Sequence, residues 1–203
     1  MNVPRYHRTA YAGAWLAAAC GIFYSVSFVI ISRSAPTLGA GLSGFFLLVG
    51  SLFSATALLG LHDRLKPTGG TYATWSLMLA LAAALAATLH GGYDLANAIN
   101  PPSQSSTLAS EVDPRGLGAF GLAGVALAAF SFLISRDSSL PRGLAYLGYL
   151  SGTLLVVIYL GRLIILSASS PLILAPAGLE GLLVNPAWYI WLGLALRRPP
   201  HPA

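Results

Sequence analysis

The chain reads as an all-α membrane protein, a bundle of six transmembrane helices forming a single domain over residues 1–203, and three observations predict it. Charged residues make up only 8% of the 203, where soluble domains carry about 25%, and mean hydropathy is +0.72. A chain this poor in charge has too little polar surface to cover a globule, so lipid is its solvent. Six apolar runs, each near the ~20 residues needed to cross the hydrocarbon of a bilayer, follow one another between short polar or proline-bearing segments. Basic residues gather at the ends of those runs, alternating in number from one loop to the next.

The elements follow in order. Residues 1–11 are polar and basic, with Arg5, His7 and Arg8. The first span covers about 12–31; it is too long for a signal peptide, and Ser32-Arg33-Ser34 makes a poor cleavage context. The second span is about 38–61, closed by a turn-rich loop at 62–70 carrying Pro67, Gly69 and Gly70. The third is about 72–93, with room to run on to 99 before Pro101 and Pro102 stop it. Residues 100–115 form the longest loop and hold Glu111 and Asp113. At this length it is expected to be a held, functional outward surface. The fourth span is about 116–134, the fifth about 143–166 and the sixth about 177–196, with a charged loop at 135–142 and an uncharged one at 167–176. Asn185-Pro186 should bend the sixth. Trp15, Trp75, Trp188, Tyr189 and Trp191 are interfacial or packing aromatics.

Charge then orients the bundle. Six spans place Arg5, Arg8, Arg64, Lys66, Arg136, Arg142, Arg197 and Arg198 on one side, eight of the eleven basic residues. Arg33 and Arg115 fall on the other, and Arg162 lies within a span. This bias predicts a multipass protein of the cell membrane with both termini in the cytoplasm. The pI of about 9.7 therefore reports topology and not nucleic-acid binding, since no basic patch with interleaved aromatics exists. Cys20 lies in an apolar run and has no second cysteine to pair with.

One constellation stands out. His90, Asp94 and Asn97 share a helix face at the end of span three. Topology brings Arg162, near the outer end of span five, and Glu180, in the first turn or so of span six, to a similar depth in the outer leaflet. Tyr159, Leu155, Gly152 and Gly148 continue one stripe below Arg162. A charge at the centre of a span costs about 2.5–3.5 kcal/mol on insertion scales. Arg162 is therefore expected to pair with Glu180 or Asp94. The cluster of His90, Asp94, Asn97, Tyr159, Arg162 and Glu180 serves either as structural glue fixing helix register or as a ligand pocket, and the plainer reading is glue.

Catalytic and metal residues are not expected. A metal hydrolase would draw on His90, Asp94 and Glu180, but one intramembrane histidine is too few, and the same lack argues against a low-spin haem. The only lysine, Lys66, lies in a loop and excludes a retinal Schiff base. No nucleophile elbow, P-loop or dinucleotide fingerprint occurs. The residues name no cofactor. Gly118, Gly121 and Gly124 form a small-residue helix face suited to close packing.

The stretch Leu140-Pro-Arg-Gly-Leu-Ala-Tyr-Leu-Gly-Tyr-Leu-Ser-Gly152 resembles the start of a late span in uncharacterised bacterial six-span membrane proteins grouped as a domain of unknown function. The closing Asn185-Pro-Ala-Trp-Tyr-Ile-Trp-Leu-Gly193 is similar to their last span. The likeness covers about a third of the chain and implies six helices and no known activity.

Two function classes follow. In the first, the chain acts without catalysis as an accessory or structural subunit of a membrane complex, or as a self-associating oligomer. The Gly- and Ala-rich faces of spans one, three and four favour it, because small residues admit close neighbours. In the second, it is a small-solute or ion transporter using the outer-leaflet cluster. Against that stand the absence of a repeat and of charge near the midplane. An enzyme comes third. The expected partners are the lipid bilayer, protein subunits or further copies of the chain, and no nucleic acid.

Overall fold

A computed structural model describes residues 5–101, 116–165 and 170–198, and among these every regular element is helical. The expected loop surface at 100–115 lies almost wholly outside the described residues. Helix α1 runs Arg5–Val26 and continues through a π-turn, Ser27–Ile31, into Ser32–Ser34. The wider turn frees backbone carbonyls, and serine hydroxyls take them up. Ser27 Oγ donates to the Phe23 carbonyl at 2.7 Å and Ser32 Oγ to the Ser27 carbonyl at 3.0 Å. Ala35 then leaves the helical region, and Pro36 opens the next helix at its first position, where a missing N–H costs nothing.

That next helix, Pro36–Ile99, is 64 residues long but departs from helical geometry at Gly70, at φ 51° and ψ −126°. Only glycine reaches this conformation without strain. The two arms, α2 (36–69) and α3 (71–99), fold back on each other. Gly41 lies beside Ala98, Gly44 beside Gly91 and Leu95, and Ser51 Oγ is 2.7 Å from Thr88 Oγ1. Partners rise along one arm as they fall along the other, which is antiparallel packing. The segment 62–69, expected as loop, is helical instead. Pro67 sits in the last turns before the break and stops few backbone bonds.

Helix α4 starts with a π-turn, Leu117–Leu122, and continues as Ala123–Arg136. Helix α5 is Arg142–Ile164. Helix α6 comprises Pro171–Leu179, a π-turn Glu180–Val184, and Asn185–Arg197. Where a bend was expected at Asn185-Pro186, a π-turn precedes the proline. Expected to begin near 177, α6 starts at Pro171, so Glu180 lies nine residues in, about 13 Å along the axis. It is not a first-turn residue.

Among the described residues five helices, counting Pro36–Ile99 as one, are long and apolar enough to cross a membrane. Their outward surface is apolar: Ile164 is 80% exposed, Leu172 74% and Met78 66%. The tightly packed core occupies one end of the bundle. There Phe130, Leu61, Leu65, Ile134, Leu144 and Leu192 share one buried cluster with Trp188, whose Nε1 donates to the Leu144 carbonyl at 3.1 Å. The same end gathers two chain reversals and the end of α6. Arg64 Nη1 donates to the Arg198 carbonyl at 2.8 Å, Arg64 Nε to Ser139 at 3.4 Å, and Thr68 to Asp137 at 3.0 Å.

Glycine faces set the helix spacing. Gly44 meets Gly91 between α2 and α3, Gly124 meets Gly152 between α4 and α5, and Gly118 meets Ala86 between α4 and α3. The small-residue faces are thus used inside the chain. Among the aromatics, Trp188 and Tyr189 are packing residues, while Trp15, Trp75 and Trp191 are exposed along the apolar surface.

Candidate site: a polar cavity opposite the packed core

Towards the other end the helices part around a cavity of about 470 Å³. All six helical stretches contribute to its wall, because alanines and serines stand where the opposite end of the bundle carries leucine and phenylalanine. Ala80, Ala83, Ala84 and Ala87 line it from α3, and Ser43, Ser51 and Ser54 from α2. Leu58, Leu127 and Tyr189 form the floor against the core. The walls reach Val29, Ala40, Asp94, Gly116 and Arg162, at or near the ends of their helices. The Asp94 side chain is 38% exposed there, so the cavity opens at that end.

Five of the six residues expected to cluster line this cavity: His90, Asp94, Tyr159, Arg162 and Glu180. Asn97, a turn beyond Asp94, does not. They do not share one depth. His90 Nε2 is 3.2 Å from Asp94 Oδ2 at the mouth, one helical turn apart on α3, and the His90 ring packs edge-on against Phe120 of α4. The other ring nitrogen, Nδ1, is buried and without a partner. Asp94 and Arg162 both lie within electrostatic reach of the Tyr24 phenol on α1. Tyr159 packs over Gly121.

Glu180 sits deeper. It is only 3% exposed, and its Oε1 accepts a hydrogen bond from Ser151 Oγ at 2.5 Å. Ser151 and Arg162 are both on α5, and their spacing corresponds to about 16 Å along a helix. The expected pairing of Arg162 with Glu180 or Asp94 is therefore not formed. Among the described residues the ion pairs are His90–Asp94 and His62–Asp63, and Arg162 has neither carboxylate within 4.0 Å. The earlier start of α6 explains this, since it carries Glu180 inward, away from the mouth.

Two partners of Glu180 escaped sequence reasoning. Asn185 Nδ2 donates to Ser151 Oγ at 3.4 Å, so Ser151, Asn185 and Glu180 form one cluster. Glu180 and Asn185 are five residues apart, which puts them on different faces of a regular α-helix. The i→i+5 bonding of the π-turn between them brings them together. The available signal was weaker: Ser151, Asn185, Ser25 and Tyr24 are polar groups inside apolar runs. Glu180 Oε2 has no hydrogen-bond partner. A buried polar oxygen left unpartnered is costly.

Among the described residues no three His, Cys, Asp or Glu side chains are grouped to hold a metal. The chemistry on offer is binding: one buried acceptor, several hydroxyls, an amide and an apolar wall. No family model, curated protein or solved structure matches the chain.

Proposed function

We propose that the chain is a six-span protein of the cell membrane, with both termini cytoplasmic, that binds and transports a small solute through its interior cavity. The observation carrying this reading is the cavity itself, about 470 Å³ in volume, walled by all six helical stretches and lined by the buried polar side chains Ser25, Ser43, Ser51 and Glu180. Small-molecule sites are concave, mostly apolar and carry a few placed polar groups, with volumes of about 300–1,000 Å³. Ionisable groups inside a membrane bundle mark solute or ion paths by default. Glu180 stands well inside α6, which removes the objection that no charge lies deep in the bundle. The alternative, an accessory subunit or oligomer held by helix packing, rested on the Gly- and Ala-rich faces of spans one, three and four, and of these Gly91, Gly118 and Gly124 are engaged within the chain. The break at Gly70 supports counting Pro36–Ile99 as two spans. The gathering of Arg64, Ser139 and Arg198 at one end agrees with a basic cytoplasmic side.

The test is a thermal-unfolding screen of the detergent-purified protein against amines, carboxylates, sugars and neutral aromatics. At least one class should raise Tm, and Ala84→Phe, which fills the cavity, should abolish that response while leaving the protein folded. If no class shifts Tm and Ala84→Phe simply stabilises the chain, the cavity is an empty packing defect and the reading is wrong.

A further inference from the structure

We propose that Glu180 recognises a positively charged nitrogen, so that the solute is a small amphiphilic amine. This rests on the cavity reading above and names its ligand class.

The argument begins with an incomplete hydrogen-bond inventory. A carboxylate offers about four acceptor positions. Ser151 fills one at Oε1, and Oε2 has no partner in a residue 3% exposed that lines the cavity wall. Among the described residues no basic side chain lies within 4.0 Å of Glu180, and Arg162 stands about 16 Å further along α5 than Ser151. A buried carboxylate without a counter-charge costs several kcal/mol. A ligand bringing both positive charge and N–H donors answers both deficits at once, through a charge-assisted bond.

The surroundings select the rest of the molecule. Phe28, Phe46, Leu58 and Leu155 offer apolar wall to a hydrocarbon body, and the rings of Tyr24 and Tyr159 suit a cation in transit from the mouth. Asp94 at the open end supplies a first, partly solvated carboxylate. Anions are disfavoured because they would meet Glu180 with no cation beside it. A bare divalent metal is disfavoured too, since calcium requires six to eight oxygen ligands and magnesium a near-ideal octahedron. Here one carboxylate, one serine and one amide converge.

The probes are three dansyl compounds added to the full-length protein in detergent: dansylcadaverine, a primary amine; dansylamide, which is neutral; and dansylglycine, an anion. Fluorescence reports entry into the cavity, against its apolar wall. Dansylcadaverine should bind most tightly, pentylamine should displace it where pentanol does not, and Glu180→Gln should weaken it at least tenfold without lowering Tm. The pentylamine competition decides the matter in the wild-type protein even if Glu180→Gln fails to fold. Equal binding of the neutral or anionic probe, equal displacement by pentanol, or amine binding that survives Glu180→Gln would overturn the assignment of Glu180 while leaving the cavity as a binding site. Failure of all three probes also overturns it, and the Ala84→Phe result then decides whether the cavity reading falls as well.

Discussion

Replacing Gly91 by alanine tests whether the α2–α3 hairpin is built on backbone contact. A methyl group at this position would lie 2.6 Å from the Leu48 amide nitrogen and 3.2 Å from Leu47 Cβ. Ordinary carbon contacts need about 3.5–4.0 Å, so the arms must separate by about 1 Å. Overpacking of this kind costs about 1–3 kcal/mol. Alanine recovers up to about 1 kcal/mol of helix propensity over glycine. The net loss should be about 1–2 kcal/mol, or roughly 2–8 °C in Tm by the scaling for chains of this size. Separation at Gly91 should also stretch the 2.7 Å Ser51–Thr88 contact one turn away and shift His90 and Asp94 at the cavity mouth. The control is Gly178→Ala in α6, where nothing lies within 4 Å of the added methyl. Thermal unfolding in mild detergent should place Gly91→Ala well below the wild type and Gly178→Ala level with it or above. Equal Tm for the two variants would refute the close packing of the arms.

Other expectations follow from the same contacts. Ser151→Ala removes the hydroxyl donor to Glu180 Oε1 and should cost about 1.5–3 kcal/mol; in a Glu180→Gln background the loss should shrink, and a double-mutant cycle by thermal unfolding that shows no coupling would contradict the bond. Glu180→Gln alone should leave Tm unchanged or raised, because an unpaired buried carboxylate is replaced by a neutral group of the same shape; a large drop would mean that the carboxylate is paired. Gly70→Ala places a side chain at φ 51° and ψ −126° in otherwise open space, so its cost of about 1–3 kcal/mol should be purely conformational, and an unchanged unfolding midpoint would argue against the break. Arg162→Ala should lower Tm no more than Arg33→Ala, since Arg162 holds neither carboxylate; a much larger drop would restore the pairing that the sequence suggested. A reporter fused after Arg198 and another inserted near Ser105 should read opposite sides of the membrane.

The helical character, with helices long and apolar enough to cross a membrane, was legible because it rests on bulk composition and run length, which local detail does not disturb. Helix ends were less so. Pro171 and Pro176 together made 167–176 read as loop, yet proline is at ease in the first helical position, and this placed α6 six residues late. The consequence was chemical: Glu180 was put at the mouth beside Arg162 instead of deep beside Ser151. Similarly, Pro67, Gly69 and Gly70 suggested a loop from 62 onward, while only Gly70 leaves the helix. The His90–Asp94 pair was visible because i,i+4 spacing survives in any α-helix. The Glu180–Asn185 association was not, because it depends on a π-turn that has no simple periodic signature. Small residues were correctly read as contact faces. That their partners lie within the same chain depends on pairings of distant segments, such as Gly124 with Gly152, which spacing alone does not reveal.

The most direct measurement of the central claim compares two neighbouring positions on α3 in intact membranes. Cys20 is first replaced by alanine, and single cysteines are then placed at Ala87, which lines the cavity, and at Leu89, which is 61% exposed on the apolar outer surface. A water-soluble, membrane-impermeant thiosulfonate reacts only with thiols that water reaches. If the cavity opens to the aqueous phase at the Asp94 end, the cysteine at 87 reacts and the one at 89 does not. Labelling at 89 with none at 87 would contradict the claim, because the polar face of α3 would then be sealed and its apolar face wet.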